Sequence, residues 1–409
     1  MKALQSKLFQ NIFYLFLSQG INYVLPFLAL PFLFRVLGDD TYGIVATAYS
    51  YYIFLNIVID FGYEYFATRK VSQNSTNTRE LRTIVSETYL CKSILLLFAL
   101  SLTIIIVRLV PNFKAYDSVF YLMMGVPMGT CFFSTWFFQG MQQMAFVTIV
   151  SSLAKGLSFL PMFIFVRGPE DVNIVSLCYS SGFVISAVVS FLLIRYRFKI
   201  KLVPIKPMDI VKSFKGSSLF FLSRVSASSY SVGITIILNV VCGNVISGYY
   251  DIASKLISAI TNLINPITQA LYPYMSSDGK TSVIKQFIKY GSVLFIVGFI
   301  FMELMASYIM ILIFNVDNEQ SINAFQILTL VMLFVLPSYL SGYPLLAAKG
   351  HDNYVNISVC IAALLFLVIT GVLYIQGQIS LYTMSGLYVF VEFFVFVTRI
   401  YGVKKYKLL

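Results

Sequence analysis

Four cations stand where hydrocarbon is expected. Lys92, Lys155, Arg224 and Lys255 each interrupt a long apolar run. A charge at the centre of a spanning helix costs ~2.5–3.5 kcal/mol on insertion scales, so each needs a compensating reason. At a rise of 1.5 Å per residue, Lys92 and Arg224 lie roughly 12 Å from the near end of their runs, Lys155 roughly 15 Å in and Lys255 roughly 14 Å in. Acids are fewer at that depth. Glu303 and Glu392 are deep, and Asp251 stands four residues before Lys255 on the same helical face. Asp60, Glu64 and Glu87 lie nearer the ends of their runs. Lys155 and Arg224 have no acid three or four residues away, and Arg224 sits in a serine-rich stretch from Ser217 to Ser231 that suits a wet wall.

Two kinds of chemistry fit such cations. The bland one is structural. Lys92 can reach an interface along its own stem, and Asp251 with Lys255 can form a neutral pair that only helps a helix insert. The functional one is a cavity wall facing an anionic cargo. The guanidinium of Arg224 offers a planar fork for phosphate oxygens, and a lysine offers a point charge. Tyrosines, 28 in all, can stack on sugar faces, though the same residues also make interfacial belts. The acids Asp60, Asp251 and Glu303 are the candidates for holding a coupling ion.

The elements that must position these residues follow from composition. The chain has 409 residues, 58% hydrophobic and only 11% charged, against about 25% charged in a soluble domain. A mean hydropathy of +0.83 cannot be hidden inside one soluble core. The runs from Leu90 to Val107 and from Val283 to Phe314 do not alternate as barrel strands do and are about as long as, or longer than, the ~20 residues that span a bilayer. The spacing predicts an all-α integral membrane protein with about twelve spans, at 10–34, 42–62, 84–110, 117–138, 145–167, 172–195, 216–240, 245–272, 288–314, 321–347, 354–375 and 379–401. With the N-terminus inside, 21 of the 29 Lys and Arg fall in inside segments and four, Arg35, Arg108, Lys114 and Arg167, fall outside. That asymmetry sets both termini in the cytoplasm.

The net charge of +12 is explained by those inside loops, which argues against nucleic acid as a partner. Five scattered cysteines and a single His351 give neither a disulfide framework nor a metal cluster. No phosphate-binding GxxxxGK[ST] loop and no GxSxG elbow is present, so no cofactor and no enzyme chemistry are expected. The first apolar block runs on past Phe32 without a small-residue cleavage pattern, so no cleavable signal is expected.

The basic loop from Arg195 to Lys215 splits the spans six and six. The expected organisation is an N-terminal lobe over 1–196, a cytoplasmic linker over 197–215 and a C-terminal lobe over 216–409. Gly38 and Gly43 recur as Gly243 and Gly248, and Pro127 and Gly140 recur as Pro337 and Gly350, at offsets of 205 and 210. Such matches suggest a duplication of six spans, hence two lobes of equal orientation with a substrate site between them.

LPFLFRVLGDDTYGI (Leu30 to Ile44), DFGYEYFATRKVS (Asp60 to Ser72), WFFQGMQQM (Trp136 to Met144) and GYYDIASKL with PITQALYPYMS (Gly248 to Ser276) resemble segments of the Wzx-type O-antigen and polysaccharide flippases. These belong to the multidrug/oligosaccharidyl-lipid/polysaccharide exporter superfamily. The resemblance runs in order over nearly the whole chain. It implies two six-helix lobes arranged as in the multidrug exporters called MATE, and a cargo of short glycan on undecaprenyl diphosphate flipped across the bacterial inner membrane. It places Arg35, Asp60, Arg69, Arg224 and Lys255 on recurring charged positions. It also implies membrane lipid, the polysaccharide polymerase and the chain-length machinery as partners. The acid usual after the FQG segment is replaced here by Gln142 and Gln143.

The expected function is therefore flipping of a lipid-linked oligosaccharide by alternating access. Arg224, Lys255, Lys155, Arg35 and Lys92 would hold the cargo, and Asp60, Arg69, Asp251 and Glu303 would couple or gate. A cation-coupled drug or metabolite antiporter of the same fold is the alternative, disfavoured by the surplus of cations at mid-depth. A glycan polymerase is disfavoured by the short outside loops.

Overall fold

The protein is described from a computed structural model covering residues 2–276 and 281–408, with side chains from residue 25 onward except at single positions within 219–227 and 266–276. Lys280 and the side chains of Lys2 and Lys7, three cations in the orientation count, lie outside the described residues. The described chain is helical almost throughout and has no strand. It divides into two compact units, Met1–Val225 and Ser226–Leu409.

The first unit holds α1 (Lys2–Asp60), α2 (Tyr63–Gln73), α3 (Thr78–Leu109), α4 (Pro111–Ala115), α5 (Asp117–Met123), α6 (Gly125–Phe132), α7 (Thr135–Gly140), α8 (Met144–Phe165), α9 (Val172–Leu192) and most of α10 (Pro207–Ser231). Asn77 starts α3 by accepting the N–H groups of Arg79 and Glu80, which satisfies two of the bare donors at a helix start. One face of α3 is buried through Leu81, Val85, Lys92, Ala99 and Thr103. The other exposes Ile94, Leu97, Phe98 and Ile105. An outward apolar stripe over a polar-containing inner face is the pattern of a helix whose solvent is lipid. The interior near α2 is aromatic, with Tyr63, Tyr89, Trp136, Phe137 and Phe138 all buried.

The second unit holds α11 (Gly233–Cys242), α12 (Asn244–Thr261), α13 (Asn265–Ser276), α14 (Thr281–Ile309), α15 (Glu319–Thr329), α16 (Val335–Leu340), α17 (Asp352–Ile375) and α18 (Leu381–Lys405). α14 exposes Leu294, Val297, Phe301, Leu304 and Tyr308, so it too presents apolar surface outward.

α1 is 59 residues long only because helix runs into helix at Gly38, where the backbone leaves helical geometry at φ 73°, ψ 171°. Gly243, between α11 and α12, has φ 92° and ψ 178°. This corner of conformational space is open essentially to glycine alone. The two glycines paired by the sequence repeat thus make the same break, each between an ending and a starting helix. A second correspondence lies at the exits of α7 and of the Ser341–Ala347 turn. Gln142 (φ 55°) and Gly350 (φ 88°) are both left-handed. In each case the next N–H reaches back five residues, Gln143 to the Phe138 carbonyl and His351 to the Leu346 carbonyl, the bond of a Schellman stop.

Among the described residues, nine helices are long and apolar enough to cross a membrane, or ten when the bent pair Glu319–Leu333 and Val335–Ala347 is taken as one span. Two expected spans are not separately among them. Most of the stretch 10–34 lies outside the residues with described side chains, the rest running on into Leu25–Asp60, and the stretch 245–272, with Asp251 and Lys255 inside it, is more polar. An all-α integral membrane architecture is what these helices make.

Candidate functional site

The end of α1 turns into α2 through two consecutive left-handed residues, Phe61 (φ 45°) and Gly62 (φ 79°). That reversal sets Asp60 beside the start of α2, where it accepts the Glu64 N–H at 3.3 Å. It also turns Phe61 and Tyr63 onto α10. Phe61 stacks on Phe221 with ring centroids 4.3 Å apart. The Tyr63 hydroxyl donates to Ser213 at 3.1 Å. Burial pushes the Tyr63 phenol well above its ordinary range, so it stays a neutral donor. A Cβ at Gly216 would meet the Phe66 ring at 2.6 Å, so α10 approaches α2 as closely as it does because residue 216 is glycine.

This docking of α10 carries Arg224 to the carboxylates. Its Nη1 donates to Asp60 Oδ2 at 2.8 Å and to Glu64 Oε2 at 2.7 Å, and its guanidinium lies 5.8 Å from the Tyr65 ring centre. From α3, Lys92 Nζ reaches Asp60 Oδ1 at 3.3 Å and the Thr130 carbonyl at 3.3 Å. Thr130 in turn bonds Asn56 at 2.6 Å. Lys92 is 4% exposed, Asp60 16% and Arg224 32%, so the group grades from dry to wet toward Arg224. A second inner pair, Lys70 with Glu87 at 3.3 Å, lies nearby in sequence.

The geometry corrects two readings. Arg224 is not unpaired: its acids are some 160 residues away in sequence, beyond any helical-spacing test. Lys92 does not reach an interface along its stem. It is buried and bound to Asp60. Of the nine candidate residues, Asp60, Lys92 and Arg224 come together, with Glu64 added to them.

The others stand elsewhere. Lys155 Nζ lies 5.7 Å from the centre of the Phe159 ring and 5.7 Å from that of Phe183, a cation–π arrangement. Lys255 and Asp251 form the i,i+4 pair at 2.7 Å, Asp251 buried. Thr329 donates to Glu303. Arg35 and Arg69 are exposed.

Sequence reasoning under-read one group in the second unit. Arg399, counted with the inside loops, is buried in α18 and donates to the Ser338 carbonyl at 3.2 Å. Glu392, seven residues earlier on the same helix face, is also buried, within electrostatic reach of Tyr230, Tyr250, Tyr339 and Tyr388. The i,i+7 spacing of an acid and a base in one apolar run was the available signal.

A family model described as "Polysaccharide biosynthesis protein" matches residues 8–278. A protein of Escherichia coli (strain K12) named "Putative O-antigen transporter" is 28% identical over 269 residues, 66% of this chain and 65% of that protein, so the match spans just under two thirds of the relative's length. Among solved structures, the lipid II flippase MurJ in an inward closed conformation superposes with a TM-score of 0.77 over 95% of this chain and 87% of that one, at 14% identity. An outward-facing multidrug resistance MATE family transporter of the MOP superfamily superposes with a TM-score of 0.62 over 98% and 94%, also at 14% identity. The fold is that of these transporters.

Proposed function

The chain belongs to the polysaccharide biosynthesis protein family, and from that premise we propose that it is a flippase for a lipid-linked oligosaccharide. The cargo is a glycan repeat unit, O-antigen or related, on undecaprenyl diphosphate. It passes from the cytoplasmic to the periplasmic leaflet of a bacterial inner membrane by alternating access. The name of the E. coli relative and the fold shared with a lipid II flippase support this reading. In it the chain has twelve spans, both termini inside, and lobes over 1–196 and 216–409 joined by the basic segment 197–215.

One observation carries it: Arg224 bridges Asp60 and Glu64 while Lys92 holds the other oxygen of Asp60. Two cations and two carboxylates sum to zero, so the group rests in a membrane-embedded protein without net charge. An incoming diphosphate can take the guanidinium fork from the carboxylates, one anion replacing another. Asp60 keeps Lys92 as counter-charge. Glu64, the more exposed acid, is then left to pair with a coupling cation. The reverse exchange releases the head group. At no stage is a guanidinium left bare, which matters because breaking a buried pair costs about 3–5 kcal/mol. Lys155, Lys255 and Arg35 would hold the cargo at other stages. Asp251, Glu303 and Arg69 would serve coupling and gating.

The test is Arg224→Ala beside Arg224→Lys in the native host, read by gel of surface polysaccharide with protein level as control. The alanine variant should lose long-chain polysaccharide by about tenfold or more, the effect of ~1.4 kcal/mol. The lysine variant should recover part, since it keeps charge but loses the fork. Normal polysaccharide with Arg224→Ala at normal protein level would defeat the proposal. Altered drug susceptibility with intact polysaccharide would favour the antiporter.

A further inference from the structure

The first unit holds a cavity that the transport reading does not use. It has a volume of about 330 Å³. Its floor is Tyr89, Phe191, Ile194 and Ile200, and its rim carries Arg195 and Lys201. Local backbone geometry builds it. α9 ends in a widened turn over Leu193–Arg197. Lys199 then takes a left-handed conformation at φ 56°. The Ile200 N–H returns to the Ile194 carbonyl at 3.1 Å. That fold-back buries Ile194 and Ile200 while leaving Arg195 and Lys201 exposed.

Floor and rim differ sharply in chemistry. The Tyr89 hydroxyl is shared with Ser134, so Tyr89 offers the cavity only its ring. Arg195 and Lys201 have no carboxylate within ion-pair distance among the described residues. The acid of this segment, Asp209, is 3.7 Å from Lys212. Between Arg195 and Lys215 the chain places seven cations, interleaved with exposed Tyr196, Leu202, Met208 and Val211.

A free phosphate would satisfy the rim and leave the apolar floor wet. A neutral chain would fill the floor and leave two cations without a counter-charge. We infer that the cavity binds an anionic phospholipid, its phosphate on Arg195 and Lys201 and the upper carbons of one acyl chain against Tyr89 and Phe191. Basic pockets beside membrane-spanning helices hold anionic head groups by this combination. The volume, at the low end of the ~300–1,000 Å³ of small-molecule sites, takes the head-group end rather than a whole lipid. The inference stands whether or not the cargo is a glycan lipid.

The chain supplies its own probe. Its single tryptophan, Trp136, has its ring 6.1 Å from that of Tyr89, so a brominated chain on the cavity floor would quench it. The full chain in phosphatidylcholine nanodiscs would be titrated with phosphatidylglycerol brominated on its upper acyl carbons, and separately with brominated phosphatidylcholine. Quenching by the anionic lipid should saturate at about 30-fold lower lipid fraction, the factor that two surface cations supply. The Arg195→Gln/Lys201→Gln variant should abolish that preference, and Lys404→Gln/Lys405→Gln should keep it. Excess sodium phosphate should not displace the lipid. Equal quenching by the two lipids, an unchanged preference in the first variant, or displacement by phosphate alone would overturn the assignment.

Discussion

Asp60 answers to three groups at once, Lys92, Arg224 and the Glu64 N–H. Its removal does not fall equally on them. Arg224 keeps Glu64, whereas Lys92, at 4% exposure, keeps only a carbonyl. Asp60→Asn should therefore lower stability by about 3–5 kcal/mol, the cost of orphaning one partner of a buried pair. Adding Lys92→Met removes the orphan and should restore most of it. Thermal unfolding in detergent would check this; a double variant as unstable as the sum of the two singles would show that Lys92 is not held by Asp60. The sequence made Asp60, Lys92 and Arg224 visible because charge inside an apolar run is costly wherever it points. Their partnership was invisible because α1, α3 and α10 meet only in the fold. Lys255 with Asp251 was legible for the opposite reason, the partner being one helical turn away. The burial of Arg399 was not legible, because its partner Ser338 lies 61 residues away in sequence and α18 runs on to Lys405.

At the scale of elements, the breaks decide where helices stop. A Cβ at Gly38 or Gly243 would meet nothing within 4 Å, so space does not require glycine there. Backbone conformation does. Gly38→Ala and Gly243→Ala should each cost about 1–3 kcal/mol through strain alone. Gly371→Ala, equally uncrowded but inside α17, should be neutral or stabilising by up to about 1 kcal/mol. Heat-induced loss of the monodisperse detergent peak would rank the three, and an unstrained Gly38→Ala would mean that the break is set by its neighbours instead. These glycines also explain how much of the repeat could be read from spacing. Offsets of 205 and 210 located two pairs, and the first pair shares one backbone geometry. The second is looser: the left-handed stop of the first copy falls on Gln142, not on Gly140, which a search for glycines passes over.

For the whole molecule the open quantity is the path of the chain through the bilayer, and composition argues it more strongly than any single contact. The loops assigned inside carry most of the cations, while the turn at 167–171 couples Arg167 to Asp171, whose carboxylate caps the Arg167 and Gly168 N–H groups. A loop with few cations is the one the insertion machinery translocates. The five cysteines form no disulfide, so a cysteine-free background can carry single cysteines at exposed sites. Glu170→Cys and Asp40→Cys should react with a membrane-impermeant maleimide on intact cells. Ser75→Cys should react only after the membrane is opened. Asp40 is the discriminating position, because it follows the break at Gly38. If the run from Lys2 to Asp60 crosses the membrane twice, residue 40 lies at the far surface and labels from outside. Were residue 40 silent from both sides instead, the break at Gly38 would lie in hydrocarbon and the run would cross only once there, and twelve spans with both ends inside would have to be abandoned together.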